Sequence, residues 1–445
     1  MKGGNSYSFK GVHLSLALVA LFLFTTLLWL WEKNPMVITL QSAQDWYYLP
    51  SEVPIDSIKA INLTKSKAKS SPIIETGPKV KIDIVKVDSP KRQYNAEVRS
   101  SRSEVCNFAK GRWIANKRRP LYSGFGCKQW LSPMWSCRLT RRPDFSFEGY
   151  HWQPENCDVP EFDPSGFFRK MQDKTIAFIG DSLGRQQFQS LMCMVTGGYE
   201  SPEVENVGWE YGLVKARGAI RPDGWAYRFP QTNTTILYYW SASLCDLEPL
   251  STTDPLTNVS MHLDRPPAFM RKFLHRFDVL VLNTGHHWNM GKLNANRWKM
   301  HVDGKPNEDK HLLDLGNAKN FTVYNVVRWL DSQLVSHPRL KVFFRTLSPR
   351  HFVNGDWNSG GSCDSTVPLR RGSEVVQEGS SDPTVEGALS GTKIKILDIT
   401  AISQLREEAH MSRYTDRGVS NSSDCLHWCL PGIPDAWNEL LVAQI

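Results

Sequence analysis

For residues 158–445 the sequence predicts an α/β domain with a largely parallel sheet flanked by helices. Apolar runs of strand length stand at Thr175–Ile179, Val279–Leu282, Val342–Thr346 and Ile394–Ile399. Helical patterns lie between them, clearest at Val323, Val326, Val327, Leu330 and Leu334, which share one face. Phe188, Leu191, Met192 and Val195 repeat that spacing. Strands alternating with helices indicate a parallel sheet. Functional groups in such sheets gather at the carboxyl ends of strands, where Ser182 and Asn283 both fall.

The N-terminal elements are read from hydropathy and charge. Leu14 to Trp31 is uncharged and rich in Leu, Phe and Val, and Gly11–His13 extend it. About 20 such residues span a bilayer as a helix. No small-x-small cleavage site follows at Glu32-Lys33-Asn34-Pro35, which argues against the alternative of a cleaved signal peptide. Lys2 and Lys10 precede the stretch and a Glu32/Lys33 pair follows it, so the short N-terminus is expected in the cytosol. The expectation is a single-pass type II membrane protein. Residues 1–11 form a cytosolic tail, 12–31 a transmembrane signal-anchor, and 32–103 a flexible lumenal stem. Most of the net charge of +8 sits in that stem, with eleven Lys/Arg against six Asp/Glu over residues 51–102. Those residues hold no Trp or Phe and one tyrosine, Tyr94, too little apolar surface to fold alone. Basicity confined to such a segment is no sign of nucleic-acid binding.

From Glu104 the composition changes. Nine cysteines all lie beyond the membrane segment, at Cys106, Cys127, Cys137, Cys157, Cys193, Cys245, Cys363, Cys425 and Cys429. In an oxidising lumen they read as up to four disulfides and one leftover thiol. Sequons at Asn62, Asn233, Asn258, Asn320 and Asn421 are usable only in the secretory pathway. Cys425-x-His427-x-Cys429 has the wrong spacing for a zinc knuckle, so no metal is expected. Residues 104–157 form a smaller disulfide-rich lobe that includes Trp113, Trp130, Trp135 and Trp152. One reading makes these rings core fillers; the other exposes some of them to sugar rings. Lys117-Arg118-Arg119 and Arg138, Arg141 and Arg142 are either a solvated surface or partners for uronic-acid carboxylates.

Two short strings carry the chemistry. Gly180-Asp181-Ser182 puts a serine between a strand and a helix, facing backbone N–H groups and the positive end of the helix dipole. Asp424-Cys425-Leu426-His427 puts a carboxylate and an imidazole one helical turn apart. Together they supply nucleophile, base and orienting acid for acyl transfer. Asn283, directly after an apolar strand, either donates to the oxyanion or caps a turn. Gly180-Asp181-Ser182-Leu183-Gly184 also fits the G-x-S-x-G elbow of α/β-hydrolases. Chain order argues against that fold, because the acid lies three residues before the histidine and the serine follows the first convincing strand. The order resembles the SGNH, or GDSL-type, architecture instead.

The longer strings are more specific. Gly180 to Gln187, reading GDSLGRQQ, and Asp424 to Gly432, reading DCLHWCLPG, with Asp435-Ala436-Trp437-Asn438 after them, resemble the plant trichome-birefringence-like family. Cys106, Trp113, Tyr122, Cys127, Cys137, Trp152, Pro154 and Cys157 resemble its N-terminal cysteine-rich region. Gln186 departs from the family, which commonly has Asn there. The resemblance implies a Golgi membrane enzyme with a lumenal catalytic domain that transfers acetyl groups to hydroxyls of cell-wall polysaccharides. It implies Ser182 as nucleophile, His427 as base, Asp424 as its partner, and Arg185 with Asn283 at the oxyanion. It also implies the pairs Cys106–Cys157, Cys127–Cys193, Cys137–Cys429 and Cys363–Cys425, with Cys245 free.

No bound cofactor is expected, but an acetyl donor is required. The acceptor is a polysaccharide, with xylan, mannan, xyloglucan and pectin all open, and oligomeric state is unreadable. Two rivals share the strings: an acetylesterase with water as acceptor, and a non-catalytic protein that binds or bridges wall polymers such as pectin.

Overall fold

The computed structural model describes residues 106–445 except 158, 217, 218, 220, 255 and 416–421. The expected tail, membrane helix and stem, and the sequons at Asn62 and Asn421, lie outside the described residues. Among the described residues no helix is long and apolar enough to cross a membrane.

Strands β1 (Gly111–Ala115) and β2 (Tyr150–Pro154) pair antiparallel, with Trp113 opposite Trp152. Helix α1 (Pro164–Met171) leads into β3 (Thr175–Gly180), and the chain turns at once into α2 (Ser182–Thr196). Next come β4 (Glu205–Asn206), β5 (Gly224–Phe229), β6 (Thr234–Trp240), β7 (Asp246–Pro249) and β8 (Val259–His262). Helix α3 (Ala268–Phe273), β9 (Val279–Leu282), α4 (Met290–Ala295), β10 (Trp298–Val302) and β11 (Lys305–Pro306) precede the long helix α5 (Leu315–Gln333). The C-terminal part holds β12 (Lys341–Arg345), β13 (Glu374–Val375), α6 (Pro383–Leu389), β14 (Lys395–Leu397) and α7 (Thr400–Gln404). It ends with β15 (His410–Ser412), β16 (Asp424–Trp428) and α8 (Ile433–Gln444).

The main sheet runs β14-β12-β9-β3-β6-β5-β4. The first five strands of that order are parallel; β5 and β4 extend the edge antiparallel. Numbered along the chain, the parallel strands lie in the order 2-1-3-4-5, so the winding reverses between β3 and β9. In doubly wound sheets of this order the crevice opens at that reversal, outside the carboxyl ends of the strands. Ser182 follows β3 and Asn283 follows β9, on the two sides of it. Each of the four apolar runs becomes a strand of this sheet. The last is shortened to Lys395–Leu397 because Thr346 Oγ1 accepts from the N–H groups of Ile399 and Thr400.

Helix α5 buries the face carrying Val323, Val326, Val327 and Leu330, as its spacing predicts. Helix α2 differs, because fourteen of its fifteen residues are buried, including Arg185, Gln186, Gln187 and Gln189. The sheet covers one side of it and α8 another, and residues of the 104–157 segment pack there too: Ser132 exchanges bonds with the Gln189 amide, and Cys127 is bridged to Cys193. Polar side chains are tolerated inside because each meets at least one partner: Gln186 bonds Trp428, Gln187 Oε1 accepts from Arg345, and Arg185 reaches Met134 Sδ.

In the N-terminal segment Trp113, Trp130, Trp135 and Trp152 are all buried, so they are fillers and none is a free sugar platform. Its arginines are also largely committed to the fold. Arg119 pairs with Glu439 at 2.6 Å, Arg138 forks onto Glu148, and buried Arg142 donates to the carbonyls of Glu408 and His410. Only Lys117, Arg118 and Arg141 of the six stay exposed, and Arg118 pairs with Glu161. Disulfides join Cys127–Cys193, Cys137–Cys429 and Cys363–Cys425, while Cys106 and Cys157 are also half-cystines and Cys245 is a buried free thiol.

Candidate active site

The turn that carries Ser182, the candidate nucleophile, is built largely by local sequence. Strand β3 ends at Gly180, and Asp181 N-caps α2 with its Oδ1 accepting from the N–H of Leu183 at 2.9 Å. The same oxygen accepts from Asn283 Nδ2 at 2.6 Å, which ties the end of β9 to the turn after β3. Asn283 therefore braces the nucleophile's turn and does not cap its own. A Cβ on either Gly180 or Gly184 would collide with Asn283 Oδ1, so the two glycines around the serine are there for close approach. Tyr238 adds its hydroxyl, donating to the carbonyl of Asp181. Ser182 is thereby held as the first residue of a buried helix.

The candidate base arrives on β16. His427 Nε2 lies 2.7 Å from Ser182 Oγ, and His427 Nδ1 lies 2.8 Å from Asp424 Oδ2. The expected helical turn between Asp424 and His427 is absent, because the pair stands on an irregular strand. Residues three apart on a regular strand face opposite sides. Here the ladder to β15 shifts register between His410 and Ser412, and Asp424 Oδ1 accepts from the N–H groups of Leu426 and His427. That curl brings carboxylate and imidazole together. Burial alone would raise the Asp424 carboxyl, but the His427 charge and these hydrogen bonds outweigh it and hold it well below the usual carboxylate range.

Covalent and polar clamps surround that strand. The Cys363–Cys425 and Cys137–Cys429 bridges start within and just beyond it. Trp135 stacks on the His427 ring, centroids 5.6 Å apart and planes 27° apart, and its carbonyl accepts from the N–H of Leu430. The Arg185 guanidinium lies over the other part of this stack, 4.4 Å from the Trp135 ring. Behind His427, the buried rings of His351 and His410 meet at 2.7 Å, and His410 Nδ1 lies 3.1 Å from the His427 carbonyl. Burial drives His351 down to about 4 and His410 well below the normal imidazole range.

Beyond Asn283, His286 Nε2 meets the Ser348 carbonyl at 2.7 Å, and His287 packs edge-on against Trp240. Burial lowers both and takes His287 to about 4, so His287 is neutral near pH 7. Neither was singled out from sequence. Nor were Trp135 as a ring stacked on His427 and the His351–His410 pair, whereas Gln186 stood out in the sequence only as a departure from the family's usual Asn. The adjacent His286-His287 directly after Asn283 was the one available signal.

The sequons divide by exposure. Asn233 and Asn258 are exposed, while Asn320 lies half-buried in α5 with its Oδ1 accepting from Thr384 Oγ1. Among the described residues no cluster of three or more His, Cys, Asp or Glu could hold a metal ion.

A serine hydroxyl, an imidazole and a half-buried carboxylate in one hydrogen-bonded line, at the switch point of a parallel sheet, suit acyl-ester chemistry. Residues 159–444 match the PC-Esterase family, described as a GDSL/SGNH-like acyl-esterase family found in Pmr5 and Cas1p. Residues 104–158 match the PMR5 N terminal domain. Trichome birefringence-like 14 of Arabidopsis thaliana is 66% identical over 367 residues, covering 80% of this chain and 90% of that protein. Trichome birefringence-like 15 is 61% identical over 351 residues, covering 77% and 71%, and trichome birefringence-like 25 is 31% identical over 369, covering 76% of each. The chain belongs to the trichome birefringence-like family. Its α/β sheet, flanking helices and disulfides are consistent with the SGNH-like fold of PC-esterases, and the family supports an enzyme of the acyl-esterase or acetyltransferase kind.

Proposed function

We propose that this chain is a polysaccharide O-acetyltransferase that works through an acetyl-serine at Ser182. The observation that carries the reading is the unbroken line Asp424–His427–Ser182, at 2.8 and 2.7 Å. His427 Nδ1–H donates to Asp424, which leaves the Nε2 lone pair free to accept the Ser182 proton. As that proton moves, Ser182 Oγ attacks the carbonyl carbon of the donor's acetyl ester. The negative charge on the carbonyl oxygen is met by the N–H groups at the start of α2, with Arg185 and the second amide hydrogen of Asn283 as further donors. The donor's leaving oxygen takes the proton from His427 and departs.

In the second half His427 takes the proton of a sugar hydroxyl, whose oxygen attacks the acetyl-serine. Ser182 Oγ leaves and recovers its proton. The acceptor we infer is a plant cell-wall polysaccharide, because the relatives that cover most of this chain are plant trichome birefringence-like proteins. The chain is a Golgi membrane protein, anchored by residues 12–31 with its catalytic domain lumenal; the disulfides and exposed sequons support an oxidising secretory compartment. The matched family's description as acyl-esterases favours one second reading, hydrolysis with water in place of the sugar hydroxyl.

The test is to incubate the purified chain with an acetyl donor and defined oligosaccharides, then locate acetyl groups by mass spectrometry. Acetyl on Ser182 and on the oligosaccharide is expected, with both lost in Ser182→Ala. Acetate release without transfer selects the esterase. Transfer undiminished in Ser182→Ala would defeat both readings.

A further inference from the structure

The base's strand is tied to the nucleophile's helix by one side chain. Gln186 is fully buried on α2, four residues after Ser182 and therefore on the same helix face one turn further on. Its Nε2 donates to the Trp428 carbonyl at 2.6 Å, and its Oε1 accepts from the Trp428 N–H at 3.1 Å. A side-chain amide that pairs both polar groups of one residue imitates a neighbouring β-strand. β16 has a real partner, β15, on its other edge, where His410 stands opposite Trp428. Gln186 thus supplies the missing edge of a two-stranded sheet at the residue next to His427.

Two contacts therefore join α2 to β16 as parallel rungs, Ser182–His427 and Gln186–Trp428, one helical turn apart. The disulfides at Cys425 and Cys429 tie the strand to the Cys363 loop and to the Cys137 segment, not to α2. Trp428 is itself pinned, stacked on His410 at 3.8 Å with its indole N–H donating to Ser348 Oγ. The length of the glutamine side chain then sets how far the strand stands from the helix.

We propose that Gln186 is a positioning residue for the His427 base, holding β16 at the spacing at which Nε2 meets the Ser182 hydroxyl. It rests on the serine–histidine reading above. Removing the amide leaves the Trp428 peptide without these partners and takes away one of the two rungs that join α2 to β16. A misplacement of about 1 Å at a reacting pair can cost on the order of 100-fold in rate.

The experiment uses the full chain in detergent with two probes, a fluorophosphonate that labels activated serines and 4-nitrophenyl acetate as acetyl donor. In Gln186→Leu, labelling of Ser182 and kcat for the ester should both fall about 30- to 100-fold, with KM within about twofold. Gln186→Asn, one methylene shorter, should fall between Leu and wild type and retain the wild-type melting midpoint. In Gln186→Glu, the carboxylate opposes the Trp428 carbonyl at neutral pH. Its activity relative to wild type should rise as the pH falls and the acid regains a donor. Wild-type labelling rates in both folded Gln186→Asn and Gln186→Glu would overturn the proposal, and these two variants decide it if Gln186→Leu does not fold. A folded wild-type chain inert to both probes would overturn the serine–histidine reading and this proposal together. A labelled wild type indifferent to Gln186 overturns only the positioning role.

Discussion

The two halves of the candidate triad are held by opposite strategies. Ser182 stands on the strand-to-helix turn of a parallel sheet, shaped by its near neighbours Gly180, Asp181 and Gly184, with Asn283 and Tyr238 of the same sheet region as its long-range braces. His427 and Asp424 stand on a five-residue strand of a two-stranded sheet, and most of what fixes them comes from far along the chain. Cys137 is 292 residues from Cys429, Cys363 is 62 from Cys425, and Gln186 is 242 from Trp428. A turn at a sheet's carboxyl edge is rigid because the sheet is. A short irregular strand must be made rigid from outside, by covalent bonds, a stacked tryptophan and a buried imidazole pair.

Changing the carboxylate on the base's side should have the largest effect. Asp424→Asn keeps the shape but replaces an acceptor with a group whose amide can donate to Nδ1. The imidazole then carries its proton on Nε2 and cannot accept from Ser182. A loss of about 10³- to 10⁴-fold in kcat is expected, with the melting midpoint little changed. Steady-state kinetics with 4-nitrophenyl acetate and a thermal melt check it; a loss under tenfold would remove Asp424 from the mechanism.

Next in size is the clamp at Cys429. The double variant Cys137→Ser/Cys429→Ser should lose on the order of 2–5 kcal/mol of stability. Its activity at a temperature where it remains folded should also fall. Cys127→Ser/Cys193→Ser, which frees only the far end of α2, should lose comparable stability and keep its kcat. Equal kcat losses in the two double variants would erase the distinction between the two halves.

That distinction also explains what could be read in advance. The strands of the parallel sheet, Ser182, Asp424 and His427 were legible because strand hydrophobicity, a strand–Gly-Asp-Ser–helix turn and an Asp-x-x-His spacing are local patterns. The second sheet, β11-β10-β8-β7, was not. Its strands are short and half-polar, as in Trp298-Lys299-Met300-His301, and their pairing is decided by contacts outside the segment. The spacing of helix α2 predicts one apolar face, yet its glutamines and Arg185 are buried too, because their side chains meet partners more than 50 residues away in Trp428, Arg345, Ser132 and Met134. Trp135 was one of four equivalent-looking tryptophans; the fold alone sets it against His427.

The two halves should also respond to pH with opposite signs. On the base's side burial takes His351 down to about 4, below its ordinary 6.5. The unfolded chain therefore binds a proton there that the folded chain lacks, and the stability this group contributes is lost as pH falls from about 6.5 to 4. On the nucleophile's side Asp435, bonded to Ser190 of α2 and to Tyr122, is pushed by burial up to about 7. Its contribution is present below about 3.8 and lost as pH rises through 7. In denaturant midpoints between pH 4.5 and 6.5, His351→Gln should flatten the acid-side loss by about 1.4 kcal/mol per pH unit. Asp435→Asn should steepen it by a similar amount. Parallel shifts without a change of slope would refute both assignments.

The smallest effect is expected from repeating the first substitution on the other side. Asp181→Asn likewise turns a carboxylate into its amide, here a buried one beside Ser182, but this carboxylate acts as a helix cap. An asparagine Oδ1 can still accept from Leu183 N–H and from Asn283, so the turn keeps its hydrogen bonds. What is lost is negative charge facing the buried Arg345 guanidinium, which burial has already drawn down to about 10. A cost of about 1 kcal/mol in stability and less than about tenfold in kcat follows. The same change of one atom group would then differ by at least 100-fold between Asp424 and Asp181. A kcat loss at Asp181 as large as that at Asp424 would mean that the nucleophile's turn depends on its charge and not only on its cap, and that the two sides are less different than their geometry indicates.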